Sequence, residues 1–83
     1  MAKKLTWSAE MEGVKHTVYL TYSTLSGKAV ITIDGDTFDI STKPFRLRGT
    51  NQAFKLGDEM AMLEFPKAGN ARILLHGEEL KSE

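Results

Sequence analysis

His16 and His76 are the side chains best suited to move a proton near neutral pH, and they stand far apart in a chain of 83 residues. A histidine works on a nucleophile it can deprotonate, or as a metal ligand among carboxylates and further imidazoles. Neither set of partners stands at a recognisable spacing here. His16 falls on the apolar face of an alternating stretch, where a hydrogen-bonded structural histidine is the ordinary occupant. His76 precedes Gly77 in a turn, where local bonding accounts for it. An enzyme would need one of them exposed beside a carboxylate or hydroxyl in a pocket, and the chain reads as non-enzymatic.

Asp34, Asp36 and Asp39 suggest calcium, but a calcium loop needs ligands at fixed positions, a Gly at the sixth and flanking helices. Around a hairpin, Asp36 and Asp39 fall on opposite faces, so turn chemistry explains them better. Ser26-Gly27-Lys28 lacks the Gly-rich approach and the following helix of a phosphate loop. No catalytic, metal or cofactor site is expected. Arg46 and Arg48 read as one face of a strand, joined by Lys43 and Lys55 across a sheet. Such a basic stripe could take a carboxylate or phosphate, although charged outer faces are the norm. Tyr19, between Thr17 and Thr21 on a polar face, is either an adhesive aromatic at an interface or covered by a loop. Tyr19, Arg46, Arg48 and Lys55 are therefore the candidate interaction residues.

These side chains must be held by strands. Leu5, Trp7, Ala9 and Met11 alternate with polar residues, and Val14, His16, Val18, Leu20 and Tyr22 do the same after Glu12-Gly13. Ala29, Ile31 and Ile33 form a further apolar row that ends at Asp34-Gly35, a strong hairpin signal. Phe38 and Ile40 mark a short return strand, Phe45 to Arg48 a strand opening at a bend or edge, and Asn51 to Leu56 another strand. Glu59 to Phe65 and Ala71 to His76 are the last long runs. No stretch keeps helical spacing over three turns. The segment Gly27 to Phe38 is echoed by Gly69 to Leu80, which gives two similar hairpins. Shared hairpin rules account for such an echo slightly better than true duplication does.

The balance of the chain agrees. Hydrophobic residues make up 41% and charged residues 27%, which places the chain among globular domains. A chain this short buries only ~60–65% of its unfolded surface, so residues 1–83 form a single domain with one core. The net charge is zero, which gives nucleic-acid binding no support. With no cysteine, no apolar leader and no run long enough to cross a bilayer, a cytoplasmic, membrane-free protein is expected.

Trp7, His16, Val18, Leu20, Ser26-Gly27-Lys28, Val30, Ile31, Ile33 and Asp34-Gly35, followed by Phe45, Leu47 and Gly49, form an ordered set. In that set the chain resembles the Fas apoptotic inhibitory molecule family, well from Trp7 to about Gly57 and more loosely through Leu80. The resemblance implies an antiparallel β-sandwich of about eight strands that acts through protein contacts without catalysis. Animal members of the family modulate death-receptor signalling with two such domains, and this chain has one. The expectation is a non-enzymatic interaction module whose strand faces or edges receive a protein partner or a second copy. The alternative is a small-ligand or carbohydrate binder that uses the Arg46/Arg48 stripe.

Overall fold

Apolar side chains at every second position are gathered onto one side by a pleated strand, which a helix cannot do. The computed structural model, which describes residues 2–83, satisfies that pattern with eight strands. They are β1 (Lys3–Met11), β2 (Val14–Tyr22), β3 (Ala29–Ile33), β4 (Asp36–Asp39), β5 (Asn51–Leu56), β6 (Glu59–Glu64), β7 (Arg72–Leu75) and β8 (Glu78–Glu79). Strands β1 to β4 form one antiparallel sheet in chain order, and β5 to β8 form a second. Two-residue turns close β1–β2, β3–β4 and β7–β8, where Glu12, Asp34 and His76 take φ of 52°, 48° and 54° ahead of a glycine. Positive φ at both central residues matches the right-handed twist of the paired strands. The echoed segments are thus β3–β4 and β7–β8, which hold equivalent places in the two sheets.

Register puts one apolar face on each sheet. Trp7 lies opposite Val18, Leu20 opposite Ile31, and Tyr22 opposite Ala29. In the second sheet, Leu63 lies opposite Ile73 and Ala61 opposite Leu75. These residues pack as one core with Leu47, Leu56 and Phe65, so the molecule is a two-layer β-sandwich. Burying each large member contributes about 1.5–3 kcal/mol. A polar tie also crosses this core. The Tyr22 hydroxyl, at the end of β2, accepts from Ala71 N just before β7 at 3.1 Å, and its ring meets Phe65 edge-on.

The two sides of the sandwich differ. Along β1, Ser82 forms a bridge with Trp7, Glu83 N donates to Thr6 O at 2.6 Å, and the Ser8 hydroxyl donates to the Glu83 carboxylate. The last residues therefore cover that edge. Edges β4 and β5 face each other on the opposite side, with no such cover among the described residues.

The segment Phe45–Arg48, expected as a strand, is part of a turn-rich crossing between the sheets. Arg46 N donates to Lys43 O at 3.0 Å, with Pro44 and Phe45 at the tip and Phe45 at φ 62°. That left-handed residue ends the extended conformation, so the apparent alternation is carried by Leu47 alone, which is buried while Phe45 is exposed. The Thr50 hydroxyl and N–H both donate to Leu47 O and hold the residue in place.

Two substitutions report on these ties. Tyr22→Phe should leave Ala71 N–H buried without an acceptor and cost about 1–3 kcal/mol in urea unfolding. At Gly27 (φ 79°), an added Cβ would stand 2.3 Å from Lys43 O, so backbone must shift. Gly27→Ala should therefore cost ~3 kcal/mol in the same measurement, a large part of the stability of a domain this small.

Candidate functional site

The open side forms a cleft of about 640 Å³ between β4 and β5. Its floor is Ile31 and Ile33, and its walls carry Phe38, Ile40 and Phe54. Phe38 lies opposite Ile31 and so shares its inward face, yet it is 52% exposed because the second sheet does not reach over it. Two polar residues explain the gap. Asp36 lies opposite Ile33, and Gln52 lies opposite the fully buried Leu63, so both occupy inward positions on their strands. A carboxylate or amide there resists dry packing, and the sheets stay apart at these edges.

Both edges also offer backbone. Ile40 N donates to Ala29 O, so by alternation Asp36 and Phe38 bond to β3, while Thr37 and Asp39 turn N–H and C=O outward. Phe65 N donates to Thr50 O, so Asn51, Ala53 and Lys55 are the outward residues of β5. The Gln52 amide caps Ala53 O at 3.1 Å.

The imidazoles sit at one end of the sandwich, around a second cavity of about 490 Å³. His16 Nδ1–H donates to Asp34 Oδ2 at 2.6 Å, and Asp34 Oδ1 accepts from Thr17 N at 2.9 Å. These bonds, the His16 one first, hold the Asp34 carboxyl below the usual carboxylate range. The other edge of the His16 ring lies against the turn of the second sheet, where a Cβ on Gly57 would be 2.9 Å from Nε2. His76 Nε2 is 3.5 Å from Glu59 Oε2 at the surface. Each histidine therefore has the neighbouring carboxylate that acid–base chemistry would require. The described residues lining the cavity include no hydroxyl or thiol for an imidazole to activate, and the His16–Asp34 bond joins β2 to the β3–β4 turn within the first sheet.

The other candidates are dispersed. Tyr19 is 54% exposed at the centre of the outer face of the first sheet, in a row with Thr6, Thr32 and Thr37, and no loop covers it. Lys55 stands on the rim of the cleft. Arg46 and Arg48 lie on the crossing between the sheets, and Arg48 Nη1 donates to Pro66 O and Gly69 O, each at 3.1 Å. The stripe that sequence reasoning built from them has no strand to carry it. Asp39 accepts from Ser41 N, and Ser26 and Ser23 hydroxyls accept from the turn that precedes β3, so both features are local turn chemistry. The cleft itself was missed, although polar Asp36 and Gln52 at inward positions of alternating strands were its visible signal.

No protein-family model, curated protein or solved structure matches the chain. Its class is set by the fold alone, an all-antiparallel β-sandwich of two four-stranded meanders.

The pinned carboxylate should be visible in acid. Because its folded pKa is lowered, Asp34 adds stability that is complete above the ordinary value of about 3.9 and lost as pH falls through the folded value. Asp34→Asn should cost ~1 kcal/mol at pH 7, modest because the site is partly exposed, and the difference from wild type should be smaller at pH 3. Urea midpoints of both proteins at the two pH values measure this, and a gap independent of pH would assign the carboxylate no specific role.

Proposed function

We propose that the chain is a non-enzymatic protein-interaction module of the kind found in the Fas apoptotic inhibitory molecule family, and that the β4–β5 cleft receives an extended segment of a partner protein. The observation that carries this reading is the pairing of an apolar cleft with two uncovered strand edges at its lips. A strand added at such an edge gains backbone hydrogen bonds, and every second side chain enters the cleft. A volume of about 640 Å³ is that of a site holding a small ligand or several side chains. The edge favours a different protein over a second copy. Two β4 strands side by side would bring Asp36 and Asp39 of both copies together, and like charges across a strand pair are destabilising.

The family part of the reading rests on shape. Trp7 is buried in the core, Gly27 lies tight against Lys43, and Asp34-Gly35 makes a hairpin turn. These matched residues support a common sandwich, and they are silent on which protein is bound.

Selection of seven-residue peptides from a random display library, followed by amide chemical-shift mapping, tests the proposal. Selected peptides should move the Thr37, Asp39, Ala53 and Lys55 amides. Phe38→Ser, at a half-exposed position that leaves the core intact, should weaken them by about tenfold or more. Peptides that map elsewhere, or whose affinity ignores Phe38→Ser, would remove the cleft from the function. Light scattering showing a dimer held through these amides would replace the partner with a second copy.

A further inference from the structure

A third cavity, away from both the cleft and the imidazoles, brings two cations together. It is about 220 Å³ and is lined by Lys3, Tyr22, Thr24, Arg48, Gly69 and Asn70. Lys3 opens β1 and Arg48 lies on the crossing between the sheets, so the fold, not sequence proximity, makes them neighbours. Both are anchored to adjacent residues of the loop before β7. Lys3 Nζ donates to Asn70 Oδ1 at 2.7 Å, and Arg48 Nη1 donates to Pro66 O and Gly69 O.

The anchoring determines which donors remain. Both hydrogens of Arg48 Nη1 are used on the two carbonyls, and Nε and Nη2 have no partner among the described residues. Those two nitrogens form the edge with which a guanidinium grips a pair of oxygens. Lys3 keeps two of its three N–H groups, and Thr24 adds a hydroxyl to the wall. No carboxylate lines the cavity, and neither cation belongs to an ion pair among the described residues. In a chain whose charges sum to zero, two cations have been drawn together and left without a counter-ion.

We propose that this cup is an oxyanion site for a phosphate group, free or as a monoester. A phosphate presents enough terminal oxygens to satisfy the Arg48 fork and the Lys3 ammonium at once, and its charge offsets the repulsion between them. The cavity is smaller than the ~300–1,000 Å³ of sites that enclose a whole ligand, so it holds the phosphate while the rest of a monoester lies outside. The site shares no lining residue with the β4–β5 cleft and does not depend on the reading given for that cleft.

Amide chemical-shift titrations of the intact protein test it, with inorganic phosphate, phenyl phosphate, acetate and chloride compared at equal ionic strength. Phosphate should shift the Thr24, Gly69 and Asn70 amides saturably, and phenyl phosphate should do so at least as well if monoesters are the ligands. Lys3→Gln and Arg48→Gln should each raise the midpoint about fivefold or more, and Lys55→Gln should leave it unchanged. Lys3→Gln is the decisive variant, because its side chain takes no part in the strand ladder. Shifts equalled by chloride, or a midpoint unmoved by Lys3→Gln, would overturn the proposal. Acetate binding as tightly as phosphate would also overturn it, in favour of a carboxylate ligand.

Discussion

Each four-stranded meander has one apolar face, and neither face has anything to lie against except the other. That mutual burial is the constraint on which the molecule depends. Trp7, Leu20 and Ile31 from one sheet and Leu63, Ile73 and Leu56 from the other are almost wholly removed from water. Among the described residues of this 83-residue chain no second core exists to compensate for a fault in this one. The Tyr22 hydroxyl on Ala71 N and the His16 ring on the Gly57 turn add direction to an otherwise non-directional contact, and they fix how one layer sits on the other.

The same constraint shapes the surface. Cover is complete where both inner faces are apolar and thins where Asp36 and Gln52 stand at inward positions. The cleft is thus a place where polar side chains interrupt the burial that holds the rest together. On the opposite side the chain supplies its own cover in Ser82 and Glu83. The candidate cleft and the cationic cup differ accordingly. The cleft arises from missing apolar cover, and the cup from a loop that grips two cations by its carbonyl and amide oxygens.

Much of this architecture was legible in the sequence. Period-two alternation and apolar runs located seven of the strands and assigned the faces of the first three, and Asp34-Gly35 located a hairpin, because these signals depend on residues next to one another. Phe45–Arg48 imitated a strand because Leu47 faces the core from an irregular segment, and alternation over four residues cannot register the left-handed φ of Phe45. The His16–Asp34 bond was out of reach because it depends on the β2–β3 register, which places Thr17 beside Asp34. Lys3 and Arg48 were further out of reach, since their meeting depends on how a loop of the second sheet folds back over the first. Local rules thus conveyed strands and turns, while the chemistry-bearing pairs came from tertiary register.

Chain-order pairing within each sheet has a kinetic consequence. Every ladder joins sequence neighbours, so each hairpin closes a short loop at little entropic cost, and contact order is low for an all-β fold. During synthesis the first meander can zip completely before β5 is made. Its oily face must then wait in water until the second meander arrives to cap it. The contacts between the two meanders are the ones that join the most distant parts of the chain, and until they form the apolar faces are open to aggregation.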